Sequence, residues 1–183
     1  MLSRKNEAIT LNMRILWCIT GGGHFLKECV EEIAKACRKH DVTLVASHAG
    51  EEVLRMYGLN RELPKTGAVV ILEKKQGHST PLSGSARFDV AVLAPCTANT
   101  CAKLVHGIAD SAVTNIASQF LKRKVPLIVL PTDYQRKIET ILPNGKRALV
   151  HCRSVDLKNI RALRNTRGIT VVTSPEKLGK LLA

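Results

Sequence analysis

Asp89-Val90-Ala91-Val92-Leu93-Ala94-Pro95-Cys96-Thr97-Ala98-Asn99-Thr100-Cys101 passes from five successive apolar residues, Val90 to Ala94, through a proline into small hydroxyl and amide side chains. An apolar run without alternation marks a strand covered on both faces. Pro95, which has no amide hydrogen, is expected to end it. Beyond it Ala98, Cys101, Ala102, Leu104 and Val105 recur at helical spacing up to Gly107. Thr97 or Asn99 then stands where the first free N–H groups of a helix point outward. In open parallel sheets, ligands lie beyond the carboxyl ends of the strands, so this turn is a candidate site for an anion or a polar ring edge. An ordinary strand-to-helix loop with a capping threonine reads the same way.

Outward from that stretch the same alternation recurs. Met13 to Ile19 reads as a first strand, broken by Thr20-Gly21-Gly22-Gly23-His24, and the apolar spacing of Phe25 to Lys39 predicts a helix with one buried stripe. Successive glycines let a backbone approach a ligand closely and leave free N–H groups at a helix start, which suits a phosphate; a tight turn needing glycine only for its conformation is the other reading. Leu26 stands where the third glycine of a dinucleotide fingerprint would fall, which weakens NAD and leaves a mononucleotide open. Val42 to Ser47 is a second strand, followed by a helix over Glu51 to Tyr57, and Ser47 could meet a phosphate or cap that helix. Ala68 to Leu72 is a third strand, and residues 73–85 form a long polar loop carrying His78.

After the central strand, a helix is expected over Ser111 to Phe120 and a fifth strand over Pro126 to Leu130, stopped at Pro131-Thr132-Asp133-Tyr134. Pro143-Asn144-Gly145 signals the turn of a hairpin-like excursion. A helix over Ser154 to Asn165, a short strand over Ile169 to Val172 and a terminal helix capped by Ser174 complete the chain. The expectation is α/β: a doubly wound parallel sheet, Rossmann-like or flavodoxin-like in three layers, forming a single domain over residues 1–183.

With 183 residues, 45% of them apolar, the chain can bury one core of ordinary size. The formal charge of +13 points to an anionic partner, and aromatic residues are too few to interleave with the basic ones as a stacking platform, which counts against nucleic acid. None of the six cysteines is separated from another by two residues, so neither a zinc site nor a resident iron–sulfur cluster is expected. No export or membrane-spanning segment is evident, and reduced thiols in a cytoplasmic protein are the expectation.

Ala94-Pro95-Cys96-Thr97-Ala98-Asn99-Thr100, with Ala102-Lys103-Leu104 and Gly107-Ile108-Ala109-Asp110, resembles the Pro-Ala-Ser-Ala-Asn-Thr signature of the homo-oligomeric flavin-containing cysteine decarboxylase superfamily. Ile19-Thr20-Gly21 is similar to that superfamily's first FMN turn. Within it, Trp17 to Gly21, Ser47 to Val53, Leu130 to Tyr134 and Leu142 to Gly145 resemble the archaeoflavoproteins, the group that includes dihydromethanopterin reductase. The resemblance implies bound FMN and a trimer-based or larger homo-oligomer. It places the phosphate on Thr20, Gly21, Gly22, Gly23, His24 and Ser47, and the ring against Pro95, Cys96, Thr97, Ala98, Asn99 and Thr100.

Two departures bear on the chemistry. Decarboxylases of the superfamily carry a catalytic histidine eight residues before the aspartate opening the fourth strand, where this chain has Pro81, with His78 three residues earlier. They also carry a Pro-x-Met-Asn clamp where this chain has Pro131-Thr132-Asp133-Tyr134. Decarboxylation and flavin prenyl transfer are therefore the alternatives, together with a non-enzymatic flavin carrier. The resemblance favours an oxidoreductase passing electrons from an external carrier, such as an acidic ferredoxin, to a small pterin-like acceptor. Arg136, Lys137, Lys146, Arg147, Arg153, Arg161 and Arg164 would be the docking charges.

Overall fold

Leu16, Trp17, Cys18 and Ile19 have no accessible surface on either side of the first strand, which therefore lies inside a sheet covered on both faces. The structure, a computed structural model, describes residues 12–72 and 87–183. His78 and the expected loop over residues 73–85 lie outside the described residues.

Six strands form one parallel sheet: β1 (Arg14–Ile19), β2 (Asp41–Ala46), β3 (Val69–Leu72), β4 (Val90–Cys96), β5 (Leu127–Pro131) and, after an inserted hairpin, β8 (Ile169–Val171). Their spatial order is β3-β2-β1-β4-β5-β8, which bears out the doubly wound expectation and sets the reversal of strand order between β1 and β4. The hairpin is a separate antiparallel pair, β6 (Lys137–Ile141) and β7 (Arg147–His151), turned at Pro143-Asn144-Gly145 as its residues predict.

Alternation along the strands sorts the core into two layers. Ile15, Trp17 and Ile19 pack with Leu26 and Ile33 of α1 (Leu26–Ala36), Leu54 of α2 (His48–Met56) and Leu178 of α6 (Pro175–Leu181). Leu16, Cys18 and Leu93 pack on the other face with Cys101 of α3 (Ala98–Val105), Phe120 of α4 (Ala112–Lys122) and Leu163 of α5 (Ser154–Arg164). Trp17 Nε1 donates to the Ala94 carbonyl at 2.7 Å and ties β1 to the end of β4. Among the described residues no helix is long and apolar enough to cross a membrane.

Two expectations need correction. Pro95 does not end the fourth strand: the Ala94–Pro95 peptide is cis, the register against β5 shifts by one residue between Leu93 and Cys96, and pairing resumes at Cys96↔Pro131. The added residue absorbs the missing amide hydrogen, while the Pro95 carbonyl is kept by Thr20 N at 3.2 Å and Thr20 Oγ1 at 2.8 Å. The helix expected from Glu51 begins at His48, because Ser47 caps it by accepting from Gly50 N at 3.0 Å.

Candidate functional site

The loops following β1 and β4 open side by side at the strand-order reversal, where the crevice of a doubly wound sheet lies. Between them is a cavity of about 390 Å³. Gly21, Gly22, Gly23 and His24 form one side and Thr97, Ala98 and Asn99 the other. Size does not single it out, since a cavity of about 470 Å³ lies beside α1 and the 3₁₀ turns at Leu59–Arg61 and Leu63–Thr66. What singles it out is the convergence of two strand ends with two helix starts.

The glycines supply room. None of the three has a positive φ, so the turn does not need glycine for its conformation. A Cβ at Gly22 would sit 2.6 Å from Thr132 Cγ2 and 3.4 Å from Thr97 Cγ2, and one at Gly23 would collide with the Tyr57 hydroxyl. The left-handed conformation falls instead on Phe25, with φ 65° and ψ 7°, a costly position for a bulky side chain at the start of α1. Side chains cap α2, α3, α4 and α6, but none caps α1. The glycine cradle therefore runs into a helix start without a side-chain acceptor, a setting that favours a phosphate.

Of the twelve expected site residues, the structure brings Gly21, Gly22, Gly23, His24, Thr97, Ala98 and Asn99 to the cavity wall. The other five hold the loops in place. Thr20 is buried and accepts from Thr97 N at 2.9 Å while donating to Pro95, so its hydroxyl clamps the two loops together. Ser47 caps α2. Pro95 and Cys96 are buried in the strand, and Thr100 shares a 3.0 Å hydrogen bond with the Thr97 hydroxyl. The Cys101 thiol lies 3.5 Å from that of Cys96 and, with burial, holds it protonated, so these cysteines belong to the core.

Tyr57, Thr132, Asp133, Ile138, Thr140, Leu142 and Val150 complete the cavity wall. Thr132 and Asp133 stand at the end of β5, beside β4, where a strand-end argument could have found them. Nothing local in the hairpin reveals which of its faces turns inward. Burial raises the Tyr57 pKa and keeps the phenol a donor, to the Ile141 carbonyl at 2.9 Å. Asp133 accepts from the Thr132 hydroxyl at 2.5 Å and from the Cys152 thiol at 3.5 Å. Burial, reinforced by that carboxylate, pushes Cys152 up to about 11.

His24 carries an unspent group. Its Nε2 is buried without a hydrogen-bond partner among the described residues, beside Phe25 (ring centroids 3.8 Å apart) and Tyr134 (6.2 Å). Burial lowers its pKa from the ordinary 6.5, against the opposing pull of Glu28 and Asp133. A base whose folded pKa is depressed contributes stability above its unfolded value that is lost as pH falls through the folded one. The midpoint of thermal unfolding should therefore fall more steeply below pH 6.5 for the parent chain than for His24→Gln. Parallel profiles would show that the imidazole titrates as it does in the unfolded chain.

The cradle fits a flavin mononucleotide on its own chemistry. It offers an uncapped helix start for a phosphate, an orphaned imidazole, and apolar and aromatic walls for a planar ring.

Comparison with known proteins agrees with that fit. Residues 3–182 match the family model described as Flavoprotein. A dihydromethanopterin reductase (acceptor) of Methanocaldococcus jannaschii is 39% identical over 74% of this chain, and the match spans 59% of that relative's length. A protein of the same name from Methanosarcina mazei is 30% identical, covering 92% of this chain and 98% of its own. Among solved structures, Burkholderia xenovorans DmrB in complex with FMN, described as a cubic protein cage for redox transfer, superposes with a TM-score of 0.79 at 28% identity over 94% of both chains.

Proposed function

This chain belongs to the Flavoprotein family, and from that we propose that it is an FMN-binding oxidoreductase, taking electrons from a reduced carrier and passing them to a small pterin-like acceptor such as dihydromethanopterin. The single observation behind this reading is the cavity at the strand-order reversal, floored by three glycines whose Cβ positions are already filled by Ala49, Thr132 and Tyr57. FMN would supply two-electron and one-electron redox chemistry there.

The chain's own residues would bind, orient and seal. Gly21 to Gly23 and the start of α1 would take the phosphate, Thr97 to Asn99 the ring edge, and His24 Nε2 would find in the bound group the partner it lacks. Thr20, Ser47, Pro95, Cys96 and Thr100 would act through the loops they hold. Tyr57 and the hairpin would close the cavity against water, and the whole chain would act as one flavin-binding unit.

We place the protein in a homo-oligomer, as the cage described for the Burkholderia protein suggests. Ile141 and Leu149, more than half exposed on the hairpin, are apolar surface such an assembly would cover. The electron donor would be an acidic carrier such as ferredoxin, drawn by basic side chains that make no ion pair among the described residues, including Lys146, Arg147 and Arg164. Arg153 is engaged with Asp156 at 2.8 Å and is not among them.

The test is direct. Purified protein should show flavin absorption that denaturation releases, and an externally reduced ferredoxin should bleach it at a rate that falls steeply with added salt. A colourless protein that takes up no FMN sinks the reading. Turnover without any external donor would favour decarboxylation, and a salt-independent rate would rule out charge-steered docking.

A further inference from the structure

The hairpin has two faces. Ile138, Thr140 and Val150 close the glycine cavity, while the neighbouring cross-strand pair Lys137↔His151 belongs to a second cavity of about 370 Å³. Arg136, Cys152, Ser154, Leu157 and Arg161 complete its wall.

The charge of this wall is one-sided. It carries Arg136, Lys137 and Arg161 and no carboxylate, and none of the three makes an ion pair among the described residues. Nearby acids are occupied elsewhere: Asp156 holds Arg153, and Asp133 accepts from Thr132 and Cys152. Unpaired cations drawn into one concavity repel each other, and a low-dielectric wall focuses their field on whatever enters. Ser154 opens the eleven-residue α5, whose dipole adds positive potential on the same side.

The two cavities share no lining residue, yet one hydrogen bond separates them. Cys152 lines the second, Asp133 the first, and the Cys152 thiol donates to Asp133 Oδ1 at 3.5 Å.

We propose that the cavity walled by Arg136, Lys137, His151 and Arg161 is a second anion site, which takes the phosphate or carboxylate end of the small acceptor whose ring is reduced across the hairpin. The anion site stands on the geometry alone; naming the acceptor as its ligand rests on the reductase reading. A concavity of this volume suits a small oxyanion better than the broad acidic face of a carrier protein.

The full chain, loaded with FMN at low salt, is titrated by calorimetry with inorganic pyrophosphate and, separately, with citrate. Arg136→Gln/Arg161→Gln is compared with Arg167→Gln/Lys180→Gln, which removes the same charge from the same third of the chain. Saturable binding is expected, weakened at least about tenfold by the first pair and less than about twofold by the second. Stronger pyrophosphate binding assigns the site to a phosphate, stronger citrate binding to carboxylates. Equal losses in both variants would reduce the effect to general charge attraction and overturn the site, as would the absence of saturable heat. Pyrophosphate that displaces FMN would put the anion in the glycine cradle and overturn it too. Flavin absorbance in the same cell tests the other reading: a chain that takes up no FMN yet binds pyrophosphate with the expected variant pattern loses the reductase assignment and keeps the anion site.

Discussion

Gly22→Ala is expected to weaken FMN binding by about 10- to 100-fold, roughly 1.4 to 2.7 kcal/mol, with the sheet still folded. The new Cβ would lie 2.6 Å from Thr132 Cγ2, a distance at which something must move. Thr132 is poorly placed to yield. Its hydroxyl donates to Asp133 at 2.5 Å and faces the Cys96 carbonyl at 3.4 Å, so rotating the methyl away breaks those contacts. The glycine loop must instead move into the cavity it floors. Thr132→Ser removes the offending methyl and keeps the hydroxyl, so Gly22→Ala/Thr132→Ser should recover most of the affinity. Titration of FMN by fluorescence quenching, beside a urea melt, reads both effects. Unchanged affinity in the single variant, or no recovery in the double, would remove the glycine turn from the binding site.

That pairing of Gly22 with Thr132 also marks where sequence reasoning stopped. The strands were legible because a strand buried on both faces is a contiguous apolar run, as in Leu16 to Ile19 and Val90 to Ala94. The turn after β1 was legible as a candidate site because successive glycines let a backbone approach a ligand closely and leave free N–H groups at a helix start. Their use as empty volume was not, since the atoms that fill it, in Ala49, Thr132 and Tyr57, come from distant segments. Thr20 has a second part that its place beside a glycine turn does not disclose: only the meeting of the β1 and β4 loops reveals that its hydroxyl binds Pro95 and Thr97. Gly50 hid the first turn of α2, being a poor helix former, yet a Cβ there would lie 2.5 Å from the Ile19 carbonyl.

Excising the hairpin should separate fold from site most sharply. Arg136 and Cys152 are already joined, Cys152 N donating to the Arg136 carbonyl at 3.0 Å, so two glycines can replace residues 137–151 without moving either end. Neither core layer includes a hairpin side chain: Ile138 is buried, but against the glycine cavity. The cost to stability should therefore stay within about 1–3 kcal/mol, the order of burying one or two apolar side chains. The cost to the site should be far larger. Ile138, Thr140, Leu142 and Val150 are lost from one wall, and the Tyr57 hydroxyl loses its acceptor at Ile141. FMN affinity should drop at least about 100-fold, roughly 2.7 kcal/mol, as the ring's apolar cover gives way to water. Circular dichroism and a urea melt would report an intact sheet while flavin absorption is lost on gel filtration. A shortened chain that stays yellow with undiminished affinity would show that the flavin sits elsewhere, because the cavity proposed for it would have lost a side.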